Sequence, residues 1–414
     1  MKRFVSLLLA FGLSLTLMTA FTSALASGDP VVLYTEKNTQ EGWDEYERKI
    51  EEATGIEIEA LAFPTNPDDR QAKATTILAS GDSSVDLMYI NDEQVTAFKY
   101  AGFLEPLQND VMNPEVAQYF SPEFLKGCMV GENIYSVPVY MSCLMLFINQ
   151  HFLDELGMEA PTNYDEFVEF ITKASKPEEG IYGYGGAWER TYVFNEIGLF
   201  INLFGGDYFD WTNEKTQKAL KFMYDMCHDL NCTPIDQMAD IYDPMLQKFF
   251  DGKYGCVFMW GGSLKTFQKA GVYGDDFIHI IPMPTFETNV TYQDAMHYVL
   301  NASSDNKENA KKVLEYLVSP EGQLAYTDFT GYVPARSDVL FSDILDQEPY
   351  ASRCPNVPAL REYFESGTVS RPLVPRTMEH LTEIGTIFQE YVTDQITLEQ
   401  AVERAQAAHA EMVP

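Results

Sequence analysis

The residues in this chain best suited to hold a small polar molecule are carboxylates, amides and tryptophans that directly follow apolar runs. Glu36 and Lys37 follow Val31 to Thr35, and Asn91 and Asp92 follow Asp86 to Ile90. Trp188 and Glu189 lie in the glycine-rich stretch YGYGGAWERTY, and Trp260, with Gly261 and Gly262 behind it, ends FFDGKYGCVFMW. A tryptophan face can stack on the axial hydrogens of a sugar ring while neighbouring carboxylates and amides accept its hydroxyl protons. This is binding chemistry, and no GxSxG, HExxH or phosphate-loop signature accompanies it. Two carboxylates flanking a glycosidic bond need no such signature, so a secreted glycoside hydrolase stays open as the enzyme-class alternative.

Each candidate also has a plainer role. Trp43 shares helical spacing with Tyr46, Ile50 and Ala53, which favours a core position over ligand contact. Asp92 suits a helix N-cap. Trp188 and Trp260 differ in adjoining glycine pairs, Gly185-Gly186 and Gly261-Gly262, so both are expected in loops that face a cleft.

Positioning such groups needs rigid elements, and the chain predicts them by alternation. A strand over Val31 to Thr35, a helix over Trp43 to Thr54 stopped by Gly55, a strand over Ile56 to Phe63, a helix over Arg70 to Ala79 and a strand over Asp86 to Ile90 follow within about sixty residues. That order calls for a parallel sheet covered by helices, with polar residues just past the strand ends facing a crevice. A second αβ block runs from about Cys143 to Phe286. Two amphipathic helices close the chain, Glu379 to Thr393 and Thr397 to Met412, the latter opening with a capping box between Thr397 and Gln400.

Composition narrows the partners. A formal charge of −34 repels phosphate backbones and anionic lipid, so nucleic acid is excluded as a natural partner. With 46% hydrophobic and 13% aromatic residues the chain has enough apolar material for two cores. Lys2 and Arg3, the apolar stretch from Phe4 to about Phe21 and Ala24-Leu25-Ala26 form a signal peptide over residues 1–26, giving a mature start near Ser27. No cysteine lies near that cleavage site, so no lipid anchor is expected and the product should be periplasmic or secreted. Of six cysteines, Cys227 and Cys232 are close enough in sequence to suggest a local bridge. Metal-ligand spacings are absent, and neither metal nor cofactor is expected.

The segment NIYSVPVYMSCLMLFINQHFLDELGMEAPTNYDEFVEFIT orders a strand broken at Pro138, an apolar run closed by Asn149, a helix ended by Gly157 and a Pro161-Thr162 start to a second helix with Tyr164, Asp165 and Glu166. With GYVPARSDV (Gly331 to Val339), this resembles extracellular solute-binding proteins of family 1, the maltose-binding-like type. The resemblance implies an α/β, two-lobed periplasmic-binding-protein-like fold of type II. Each lobe would be a mainly parallel sheet flanked by helices, with the ligand cleft between. Lobe 1 would comprise residues 27–141 and 291–338, and lobe 2 residues 142–290 and 339–414. Crossings are expected near 138–144, 287–296 and 334–345, which adds Tyr140, His297, Tyr298 and Arg336 to the site candidates, although Arg336 in such a turn is more often structural. It further implies a monomeric receptor that performs no reaction and delivers a sugar or oligosaccharide to the permease subunits of an ABC transporter. A polyamine, metal-chelate or peptide ligand remains the alternative within the same fold.

Overall fold

The computed structural model describes residues 28–65 and 67–412, so the signal segment lies outside the described residues. Two sheets organise the chain. Across the first, the strands are Ile58–Ala62, Val31–Thr35, Leu87–Asn91, Met296–Leu300 and Val137–Pro138. The first three are parallel, as the alternation predicts, and Met296–Leu300 runs antiparallel to both its neighbours.

The second sheet is built around the long strand Tyr140–Asn149. Tyr254–Trp260, Ile278–Ile281, Thr291–Asp294 and Val333–Pro334 all pair with it antiparallel. Parallel pairing appears at the two margins, Tyr182–Gly185 on Tyr254–Trp260 and Thr368–Ser370 on Thr291–Asp294. This half is therefore mixed rather than mainly parallel. All but the last residue of Tyr140–Asn149 is buried, which explains a near-continuous apolar run instead of alternation.

The chain passes between the sheets at Val139 and again at Ala295, where the Val139 N–H donates to the Met296 carbonyl at 2.9 Å. Thr291–Asp294, grouped with the first lobe from sequence, instead pairs within the second sheet. A third passage follows the helix Pro320–Thr330, which packs on the first-sheet helix Trp43–Thr54. It runs through Val333–Pro334, and by Asn356 the chain touches the Gly261 carbonyl of the second half. The three passages thus lie side by side.

Local signals account for many boundaries. Trp43–Thr54 buries Trp43, Tyr46 and Ile50 and stops at Gly55, whose φ of 72° disfavours a side chain. The capping box at Thr397 and Gln400 forms in both directions, at 2.9 and 3.3 Å. The helix after Pro161 is capped by Asn163, one residue beyond the expected Thr162, whose hydroxyl instead donates to Glu166 at 2.7 Å. Cys227 and Cys232 are free thiols, not a bridge. Cys232 lies in the core with its Sγ 3.5 Å from the Met226 carbonyl, and burial pushes both thiols up to about 12.

Candidate functional site

Strand ends from the two sheets meet around the passages. Val31–Thr35 delivers Glu36 and Lys37. Glu36 pairs with Arg70 of the helix Pro67–Ser80 at 3.1 Å and with Lys37 at 3.6 Å. The Lys37 ammonium lies 5.9 Å from the ring centre of Tyr89 and 5.5 Å from that of Tyr332. Tyr332 in turn meets Tyr140 edge-on at 4.6 Å. Beneath them Tyr140, Tyr326, Tyr89, Tyr298 and Tyr46 form a buried ladder of ring contacts, with hydroxyl pairs Tyr89–Tyr326 at 2.5 Å and Tyr46–Tyr298 at 3.4 Å. Tyr140 joins this ladder through its ring, stacked on Tyr326 at 6.3 Å, while the four tyrosines behind it are also tied through their hydroxyls.

On the other flank Asn91 caps the helix Asp92–Ala101, and the next two residues face Arg371. Arg371 follows the strand Thr368–Ser370, so this contact joins the two halves. Its Nη1 reaches Glu93 Oε1 at 2.6 Å, while Nη2 and Nε both address Asp92. The guanidinium carbon lies 5.3 Å from the ring centre of Trp260. Trp260 is 8% exposed and donates its indole N–H to the Tyr242 hydroxyl at 2.9 Å. That hydroxyl also receives Asn195 at 3.1 Å, and Tyr242 meets Tyr192 edge-on at 5.0 Å. A Cβ on Gly261 would stand 2.9 Å from Met145 Sδ, so a side chain there needs Met145 to shift; one on Gly262 would make only ordinary contacts at 3.7 Å with Ser142 and Tyr332, and the Gly262 N–H donates to Ser142 at 3.1 Å.

Asp294, at the second passage, sits opposite Ser142 in the register. Burial pushes its carboxyl up to about 7 against the pull of Arg371, with Glu93 adding to the rise. Burial also drives Asp92 up. It acts on Glu93 as well, but there the Arg371 guanidinium and Asp92 outweigh it and hold the group below its ordinary value. Glu93 Oε2, Asp294 Oδ1 and Asn195 Oδ1 are buried acceptors without a hydrogen-bond partner. Among the described residues, no group of three or more His, Cys, Asp or Glu side chains is arranged to hold a metal ion.

Of the sequence candidates, Glu36, Asn91, Asp92, Tyr140, Trp260 and Gly261 converge here. Asp92 is an ion-pair partner and Asn91 is the cap. The remaining candidates do not join them. Trp188 is 0% exposed: its indole N–H donates to Glu196 Oε2 at 2.8 Å and its ring abuts Phe388 edge-on at 5.4 Å. Glu189 turns back on Thr191, accepting from its N–H at 2.8 Å and its hydroxyl at 2.5 Å. His297 points into the first core, 3.1 Å from the Ser136 hydroxyl, and burial takes it down to about 3. Tyr298 belongs to the buried ladder, and Trp43 packs on Tyr46 and Phe329 with its N–H on Glu47 at 2.7 Å. Arg336 is structural, forked on Asp338 at 2.9 and 2.7 Å with its cation over Tyr119 at 4.4 Å.

Sequence reasoning missed Arg70, Glu93, Tyr242, Asp294, Tyr332 and Arg371. Arg371 carried a usable signal: Thr368-Val369-Ser370 is a short β-branched run, and Pro372 forces extended backbone just behind it.

The model of bacterial extracellular solute-binding proteins matches residues 45–351. A Brucella abortus protein named as a binding protein is 24% identical over 333 residues, covering 77% of this chain and 79% of that one. The mannitol-binding protein of Pseudomonas aeruginosa is 22% identical over 368 residues, covering 82% of each. Among solved structures, maltose-bound T. maritima MalE3 superposes with a TM-score of 0.77 at 22% identity, over 92% of this chain and 99% of the other. An ABC transporter solute-binding protein of Thermotoga lettingae bound with alpha-D-tagatose gives 0.78 at 22%, with the same coverage.

Proposed function

Because the chain belongs to the bacterial extracellular solute-binding protein family, we propose that it captures a neutral sugar or sugar alcohol between its two sheets and hands it to the permease of an ABC importer. The observation that carries this reading is the arc from Arg70 and Glu36 through Tyr140, Tyr332 and Asp294 to Arg371 and Trp260. It lies beside all three passages and offers aromatic rings next to buried acceptors. Aromatic area with a few fixed polar groups is what a pocket for a polyhydroxy compound requires. Charge supports a neutral ligand over a polyamine. Lys37, Arg70 and Arg371 stand against Glu36, Asp92, Glu93 and Asp294, and the last is raised to about 7, so the arc is close to balanced near neutrality. The names of the mannitol-binding relative and of the sugar-bound neighbours agree with this class.

Such a receptor breaks no bond. Hinge motion at the three passages closes it on the ligand, and the closed form docks as a monomer on its permease outside the cytoplasm. The test is a thermal-shift screen of the purified mature protein against sugar alcohols, monosaccharides and malto-oligosaccharides. A compound that binds only the folded state stabilises it by about 2.7 kcal/mol at a hundred times its Kd, and oligosaccharides should be recovered uncleaved. Stabilisation by spermidine alone, or hydrolysis products, would contradict the proposal.

A further inference from the structure

We infer that Glu93 and Asp294 form the hydroxyl-accepting pair of this site, and that Arg371, fixed against the carboxylates around it, makes the site select a neutral polyol over the corresponding sugar acid. The inference rests on the function proposed above and names the groups that would discriminate within it.

The geometry divides four charged side chains into occupied and free atoms. Asp92 is engaged by Nε and Nη2 of Arg371, and its Oδ1 also accepts the Glu93 N–H at 3.0 Å. Glu93 spends Oε1 on Arg371 and leaves Oε2 unpartnered, although the residue is only 6% exposed. Asp294 leaves Oδ1 unpartnered in the same neighbourhood, close enough that Glu93 and Arg371 both act on its charge. A buried acceptor without a donor is costly, and hydroxyl donors from a ligand would relieve both atoms at once.

The same atoms disfavour an anion. Above pH 7, where Asp294 as well as Glu93 is ionised, a carboxylate brought to this place would meet two acceptor oxygens and an Arg371 whose Nε, Nη1 and Nη2 already hold two carboxylates. Like charges at hydrogen-bond distance are repulsive where water is excluded. A diamine would find Glu93 offset by the guanidinium and Asp92 driven by burial towards its neutral acid, which leaves it little charge to pair with. Only a compound that donates hydrogen bonds without bringing charge satisfies the free oxygens and leaves the Arg371 cluster intact.

The test uses the mature protein and named probes: D-mannitol, D-tagatose and maltose, with D-mannonate and maltobionate as the acids of the first and third. Titration calorimetry should show saturable binding of at least one neutral compound. Neither acid should bind within about tenfold of its parent's affinity. Glu93→Gln and Asp294→Asn, each checked for native circular dichroism, should each weaken the neutral compound by about tenfold or more. An acid that binds as well as its parent, or unchanged affinity in both variants, would overturn the inference and leave the proposed function standing. If either variant fails to fold, the neutral-against-acid comparison on the unaltered chain still decides. Binding of putrescine with no neutral compound bound would overturn both readings.

Discussion

Trp188 and Trp260 share one local signature, an indole beside a glycine pair, yet one is sealed in a core and the other borders the site. At Trp188 the glycines serve close packing. A Cβ on Gly185 would stand 2.1 Å from Tyr254 Cδ2, and one on Gly186 would stand 2.4 Å from the Trp188 indole nitrogen itself. At Trp260 the confinement is looser: a Cβ on Gly261 would stand 2.9 Å from the movable Met145 Sδ, and one on Gly262 would make ordinary contacts at 3.7 Å. Glycine next to an aromatic therefore reports either a turn with room for a side chain or a tight approach, and the difference lies in which other elements pack there. For Trp188 these bring Glu196 and Phe388; for Trp260 they bring Tyr242 and Arg371.

The sharpest way to break this contrast is to truncate the buried member. Trp188→Ala should cost about 3 to 5 kcal/mol in urea unfolding, because it opens a core cavity and removes a donor from Glu196. A loss below about 1 kcal/mol would place Trp188 outside the core. Next in size, Arg371→Met should cost about 3 kcal/mol by the same measurement, since Asp92 and Glu93 would stay buried without their cation. No loss would mean that the two halves are not joined there.

An effect of comparable size separates the flanks by pH. The folded carboxyl of Asp294 sits at about 7, above its ordinary value of about 3.9. The folded state therefore binds the proton more tightly, and this group's contribution to stability falls as pH rises between those values. Ligand-free Asp294→Asn should lack that decline, so its Tm relative to the parent should climb from pH 4 to 7 and then level off. A difference independent of pH would mean that Asp294 ionises normally. Smallest of all, adding a reductant should leave the Tm unchanged, because Cys227 and Cys232 are free thiols.

The first sheet was readable in sequence because strand and helix alternate there within short windows, and Gly55 and the Thr397 to Gln400 box mark ends by local chemistry. The two-residue strands Val137–Pro138 and Val333–Pro334 are too short to carry a period, so their pairing partners could not be inferred. In the site, residues at strand ends such as Glu36, Asn91 and Trp260 were reachable by rule. His297 and Tyr298 were not separable from them, because whether a residue in a strand faces core or crevice depends on register with a distant partner. Arg371 lies 279 residues from Asp92, and no local pattern announces that pairing.

The central claim, that the ligand is held between the sheets against Trp260, is tested most directly by calorimetric titration of Trp260→Ala with whichever neutral compound stabilises the parent protein. The account predicts affinity lower by about tenfold to a hundredfold, the worth of one aromatic stacking face, with the variant still folded. Unchanged affinity in a folded Trp260→Ala would contradict it and send the search for the site elsewhere in the molecule.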